Sequence, residues 1–250
     1  MNGSSSPCCT QAVAAIPKAE EVACCDCGLD PICQLLDYAE PGSGVEPGIL
    51  IRRRFIQAGG MLFDAGGAFE SLYAVKSGSL KAVVTDAQGQ ERVVGFYLTG
   101  ELIGADAMAS QQYNCSVRAL EPSQVCDLRL HRLSASGRPI EAIQQAIIDM
   151  LGKAVAFDQL IISSLIKQNS EQRLAAFLVT LSQRLQARGF TSKHFRLSMS
   201  RSDIASYLGL ARETVSRLLT RFQKDGLIAL RRKHLTLLKP DGLADIAASM

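Results

Sequence analysis

The sequence predicts an α+β protein: an N-terminal antiparallel β-roll, then one long helix, then a small helical domain ending in a two-strand wing. Three observations carry this expectation. Between about 50 and 135, short β-like runs alternate with glycine turns. After Pro139 the apolar residues switch to alternating steps of three and four. From Ser200 onward, two short helical patterns flank a glycine, and two β-like runs then surround a basic tip.

A chain of 250 residues suits two domains of ordinary size, and 47% hydrophobic residues with only 8 prolines suit a packed fold. No run of apolar residues is long enough for a membrane helix. The opening MNGSSSPCCTQ has neither the basic nor the apolar region of a secretory signal, so a cytoplasmic setting is expected. There, cysteines more often bind metal or react than form cross-links.

Residues 1–45 read as an irregular, cysteine-rich segment ending near Pro41-Gly42-Ser43-Gly44. It contains Cys24-Cys25-Asp26-Cys27 and Cys33, with Gly28 and Pro31 between them. On the residues alone, zinc and an iron–sulfur cluster fit these thiols about equally. Residues 46–139 form the predicted roll, through runs such as 72–75, 79–84 and 92–97, with turns at Gly59-Gly60, Gly66-Gly67, Gly78 and Asp86-Ala87-Gln88-Gly89.

Residues 140–169 predict a helix with the stripe Ile140, Ile143, Ile147, Met150, Ala154, Phe157, Ile161, Ser164. Such a stripe fits pairing with a second copy of the chain, or packing on the chain's own roll. Asp158 lies beside it, and near a two-fold axis it would meet its own mate, making the dimer easy to switch.

Residues 170–250 form the last domain. Between Lys167 and Pro240 stand 15 Lys and Arg against 4 Asp and Glu, while the rest of the chain is acidic. A basic end of this kind meets a polyanion, here double-stranded DNA. Ser200 and Asp203 suit the first turn of one helix, Gly209-Leu210 break it, and a second runs from Arg212 to Phe222. Val215, Leu218, Leu219 and Phe222 take its inner side, leaving Glu213, Ser216 and Arg217 together on the outer one. Arg forks onto guanine, Glu accepts from cytosine and Ser reaches either edge, so these three are the expected base readers. Arg201, Arg212, Arg221, Lys224 and the tip Arg231-Arg232-Lys233 are expected to contact phosphates. Ala211 at the second helix's N-cap offers no side-chain cap. The three histidines, His131, His194 and His234, are scattered, and no phosphate-binding glycine loop or HExxH occurs, so an enzyme is not expected.

The order of these parts, and the stretch from Glu171-Gln172-Arg173-Leu174-Ala175-Ala176-Phe177 through Glu213-Thr214-Val215-Ser216-Arg217-Leu218-Leu219, resembles the Crp/Fnr superfamily of bacterial transcription regulators. The Glu-x-x-Ser-Arg reader and the N-terminal cysteines look like its fumarate-and-nitrate-reduction branch, which senses oxygen with an iron–sulfur cluster. The resemblance implies a cyclic-nucleotide-binding-like roll. It also implies a [4Fe–4S] cluster on Cys24, Cys27, Cys33 and Cys126, with Cys25 the alternative first ligand and Cys115 the alternative fourth. Cys8 and Cys9 are given no role. Further implied are a homodimer through Ile147, Met150, Ala154, Phe157, Asp158 and Ile161 that forms under low oxygen, and binding to a TTGAT-N4-ATCAA-like palindrome that controls anaerobic genes. Contact with RNA polymerase is implied at Asp86, Gln88 and Gln90. A regulator of this fold with a zinc-bound or other small-ligand sensor is the alternative. Cyclic-nucleotide relatives hold the phosphate with Gly-Glu and a following Arg; here Gly100-Glu101 is present but the Arg position falls on Tyr113, followed by Asn114. No cyclic nucleotide is therefore expected, with Arg118 as the one possible substitute.

Overall fold

The computed structural model describes residues 21, 22, 26, 27, 30, 51–129, 141, 144–152, 155, 159, 162 and 169–249. Cys8, Cys9, Cys24, Cys25, Cys33, Ala154, Phe157, Asp158 and Ile161 lie outside them. The chain divides into two compact units, residues 1–80 with 97–154, and residues 81–96 with 155–250. The outer part of a roll hairpin, residues 81–96, thus groups with the C-terminal unit.

The first unit carries β1 (Ile51–Ile56), β2 (Met61–Phe63), β3 (Leu72–Ser77), β6 (Leu102–Ile103), α1 (Ala107–Ser110), β7 (Ser116–Ala119) and β8 (Ser123–Leu128), and the start of β4 (Ser79–Thr85). One antiparallel sheet runs β1-β8-β3-β6; a second runs β2-β7-β4-β5, where β5 is Glu91–Leu98. β3 is buried at every position, so it reads as a continuous apolar run interrupted by Lys76 rather than as an alternating strand. Ala74, Val75, Val117, Val125 and Leu128 show no exposed surface and form the centre of this core.

Gly78 joins β3 to β4 with φ +84, in the left-handed region. A Cβ there would stand 2.4 Å from the Ser123 hydroxyl and 2.8 Å from the Pro122 carbonyl. The space is needed because Ser79 N–H donates to that hydroxyl at 3.2 Å.

Of the expected stripe, Met150 is buried and Ile147 half-buried, whereas Ile148, Val155 and Ile162 are 59%, 56% and 55% exposed. Steps of three and four along a helix stay on one side, and a residue one position away is turned from it by about 100°. Met150 takes the side turned toward its own chain, and the apolar series one position away is left open.

The second unit holds the hairpin residues 81–96, then α2 (Ser170–Gln186), β9 (His194–Arg196), α3 (Arg201–Leu208), α4 (Arg212–Lys224), β10 (Ile228–Arg231), β11 (His234–Leu237) and α5 (Pro240–Ala248). Asn169 caps α2 by accepting from the Glu171 and Gln172 N–H groups, and Gln172 reaches back to the Asn169 N–H at 2.8 Å. Leu174, Leu178, Ile204, Val215, Phe222 and Leu243 are fully buried between these helices. The three-stranded sheet β10-β11-β9 closes the unit, its wing turning at Arg232-Lys233 between Arg231 and His234. Arg232 adopts φ 56 there, unusual for a residue with a side chain. Among the described residues no helix is long and apolar enough to cross a membrane.

Gly78→Ala should destabilise the protein by about 2 kcal/mol or more, because it combines a left-handed strain with a clash against main chain. Urea unfolding checks this, and a loss under 1 kcal/mol would show that the turn has room to shift.

Candidate nucleic-acid interface and cysteine site

The second unit builds its outer face from α3 and α4. Ser200 caps α3: its hydroxyl accepts from Asp203 N–H at 3.0 Å and its own N–H donates to Asp203 Oδ2 at 3.0 Å. Gly209 ends α3 in the left-handed conformation, φ 64, which lets the chain reverse into α4. Arg173 on α2 donates to the Leu208 carbonyl at 3.2 Å, satisfying a main-chain acceptor that the end of α3 leaves open. α4 then buries Val215, Leu218, Leu219 and Phe222, and its N-cap Ala211 makes no side-chain bond. Glu213, Ser216 and Arg217, the expected base readers, are all exposed on the opposite side near the N-terminus of α4.

The expected phosphate contacts separate into two groups. Arg212, Lys224, Arg231, Arg232 and Lys233 are exposed. Arg201 is half-buried, and burial pushes its guanidinium below the ordinary arginine value. Arg221 is exposed yet engaged: it donates to Glu171 at 3.0 Å and lies 3.6 Å from Asp225. It therefore also braces α4 against α2, for about 0.2–1 kcal/mol at such exposure. A groove beside α4 is lined by Ser216, Arg217, Thr220, Arg221, Lys224 and Asp225.

The hairpin residues 81–96 supply positioning groups that sequence patterns did not reveal. Lys81 donates to Asp203 at 2.6 Å, and the Ser206 hydroxyl accepts from Val93 N–H at 3.0 Å. Phe96, Phe177 and Tyr207 pack ring against ring with centroids 5.1–5.9 Å apart, and buried Arg184 donates to the Phe96 carbonyl. Burial alone would raise the Asp203 carboxyl. Hydrogen bonds from Lys81 and Ser200 outweigh it and hold the group below its usual range. No motif marks such long-range pairs; only the polar residues on an apolar helix side hinted at partners. At the hairpin tip, Asp86 accepts from the Gln88 and Gln90 N–H groups at 3.0 and 2.9 Å, closing the turn on itself. Gln88 and Gln90 are exposed and Asp86 is half-buried.

In the first unit, Cys27 and Cys126 are buried. Cys126 stands on β8, opposite Arg53 on one side and Ala74 of β3 on the other. Further along β3, the residues just ahead of the cysteine motif join the strand. Glu21 forms an antiparallel bridge with Ser77, and Val22 N–H donates to the Lys76 carbonyl at 3.1 Å. Lys76 Nζ also donates to the Val22 carbonyl. Cys115 precedes β7 in the other sheet. Its thiol is pushed up to about 11, chiefly by burial and further by Asp106, which opposes the thiolate a metal needs. The donor set at Cys27 and Cys126, soft and buried, fits an iron–sulfur group in kind. Among the described residues no three cysteine, histidine or acidic side chains converge.

Tyr113 is buried in the roll. Its ring stacks on Phe63 at 3.7 Å, and its hydroxyl donates to the Ser71 carbonyl at 3.0 Å and accepts from Ser71 N–H at 3.2 Å. Glu101 accepts from Leu98 N–H at 2.8 Å, and Arg118 sits on β7 opposite Met61.

A β-roll joined to a winged helix-turn-helix with exposed polar and charged side chains on its second helix defines a DNA-binding regulator. The Crp-like helix-turn-helix domain model matches residues 172–246, and the cyclic nucleotide-binding domain model matches residues 53–135. The chain is 39% identical over 224 residues to the fumarate and nitrate reduction regulatory protein of Escherichia coli strain K12, covering 90% of each. It is 39% identical, with the same coverage, to the fumarate nitrate reduction regulatory protein of Klebsiella oxytoca. Its fold is similar to that of FixK2 from Bradyrhizobium japonicum, with a TM-score of 0.71 at 20% identity, covering 81% of this chain and all of that one. The chain belongs to the Crp/Fnr family of transcription regulators, and these relatives are regulators rather than enzymes.

Because the Asp203 carboxyl is held low in the folded chain, its contribution to stability is present above the unfolded carboxylate value, near 4, and is lost as pH falls through the lower folded value. Asp203→Asn should flatten that acid limb in a pH series of thermal melts. An unchanged limb would place the titration elsewhere. Arg173→Ala, which leaves the Leu208 carbonyl unpaired, should cost about 1–3 kcal/mol in urea unfolding.

Proposed function

We propose that the protein is an oxygen-responsive transcription regulator of the cytoplasm that holds a [4Fe–4S] cluster and controls anaerobic genes. The observation that carries this reading is the attachment of residues 21–22 to β3, because the neighbouring strand β8 bears Cys126. The segment leading to Cys24, Cys27 and Cys33 thus starts from the sheet that carries Cys126, whereas Cys115 lies just before β7 of the other sheet. Cys24, Cys27, Cys33 and Cys126 would hold the cluster. When bound, it supplies an oxygen-labile link between the N-terminal segment and the roll. The chain's own part is to exclude water at the buried thiols and to keep the segment docked.

At the other end, Glu213, Ser216 and Arg217 read bases of a TTGAT-N4-ATCAA-like palindrome, while Arg212, Lys224 and the wing hold phosphates. A palindrome calls for a second copy. The exposed apolar residues Ile148, Val155 and Ile162 lie seven apart, a spacing that returns to one side of a helix, and supply the seam. Gln88 and Gln90 at the hairpin tip are the groups offered to RNA polymerase. Tyr113 stands in place of the phosphate-holding guanidinium, which supports a roll that binds no cyclic nucleotide.

Three measurements test this. Protein purified without air should hold about four irons per chain, absorb in the visible and shift the palindrome in a gel, and air should abolish both signals. A colourless protein carrying zinc, or one that binds the palindrome equally after air, overturns the sensor reading. Arg217→Ala should cost about 1–3 kcal/mol of discrimination at its G·C pair; a uniform loss on all sequences would make Arg217 a phosphate contact instead. In sedimentation under low oxygen, Val155→Glu with Ile162→Glu should give monomers, while Met150→Ala should lower stability by about 2–5 kcal/mol and leave association intact. The reverse pattern would put the seam on the Met150 side.

A further inference from the structure

Lys76 is a charged residue in a strand that is buried at every position, and it is only 4% exposed. An ammonium in such a place costs several kcal/mol unless its hydrogen-bonding needs are met. Its main chain is also irregular. β3 pairs with β8 at Val75–Val125 and then at Ser77–Gln124, so two steps on β3 match one on β8 and Lys76 is the extra residue of a β-bulge. The bulge takes Lys76 out of that ladder, and its main-chain carbonyl and its side-chain ammonium both bond Val22. Its carbonyl accepts from Val22 N–H at 3.1 Å, and its ammonium donates to the Val22 carbonyl. Val22 is itself buried, 2% exposed, and Glu21 bridges Ser77 next door. A leucine or methionine would fill the same stem volume but strand the Val22 carbonyl.

We infer that Lys76 is a positioning residue: its two-point hold on Val22 docks the start of the cysteine-bearing segment on β3, beside the strand that carries Cys126. Val22 lies two residues before Cys24, and Cys126 stands opposite Ala74, two residues before Lys76. The hold needs no metal. It sets the starting point of the segment whether or not a cluster is present, and it places one buried positive charge in the unit that would carry four thiolates. This inference rests on the cluster reading above.

The test uses the full-length chain, purified and reconstituted with iron and sulfide without air. Lys76→Met removes the ammonium and keeps the stem; Val22→Pro removes the N–H and leaves every charge in place. Two readouts are taken: the rate at which visible absorbance decays after mixing with air-saturated buffer, and the rate of protease cleavage within residues 23–45 of the iron-free protein. Losing one half of the hold should raise both rates about tenfold in either variant, and the double variant should add little beyond the single ones. Wild-type rates in both variants would overturn the inference. A wild-type chain that takes up no iron would instead sink the cluster reading, and is recognised in the control sample alone. Should Lys76→Met fail to fold, Val22→Pro carries the same two comparisons.

Discussion

Asp203 accepts from the Ser200 N–H and hydroxyl and from the Lys81 ammonium, at 3.0, 2.6 and 2.6 Å. One carboxylate therefore closes the first turn of α3 and fastens that helix to the hairpin at the same time. Charge-assisted bonds of this kind contribute about 1.5–3 kcal/mol each where water is partly excluded. The position of α4 follows from α3, because only the Gly209 turn separates them and Arg173 fixes the last carbonyl before it. The N-terminal part of α4, where Glu213, Ser216 and Arg217 are exposed, is thus positioned by groups on α2, α3 and the hairpin.

The basic C-terminal region also divides by task. Counting charge treats every Lys and Arg as available to phosphate. Yet Arg173 is bonded to Leu208, Arg184 to Phe96, and Arg221 to Glu171. These side chains hold helices and strands together, and their field still favours a polyanion. The groups that can form close phosphate contacts are fewer than the sum of charges suggests, so the salt dependence of binding reports the smaller number.

Much of this was legible in the sequence where one local rule decides the outcome. Ser200 with Asp203, Gly209, and the inner side of α4 were readable because capping, left-handed φ and helical periodicity each act within a few residues. The β-runs and their glycine turns were readable for the same reason. The helix at 144–152 was legible as a helix, whereas what covers each of its sides was not, since periodicity locates a side and not its partner. Met150 turned inward and Ile148 outward accordingly. Arg173, Lys81 and Lys76 were not legible at all: their partners lie 35, 122 and 54 residues away, and no spacing rule spans such distances.

Lys76 and Lys81 show what those long-range pairs accomplish together. Each is a lysine on consecutive strands, one holding Val22 and the other Asp203. Between them the chain passes through Gly78, whose turn has no room for even a methyl group. The anchor of the cysteine-bearing segment and the anchor of the DNA-reading helices are therefore only five residues apart along the chain. The tightest point of that span is Gly78, which passes so close to the Pro122 carbonyl and the Ser123 hydroxyl that only glycine fits.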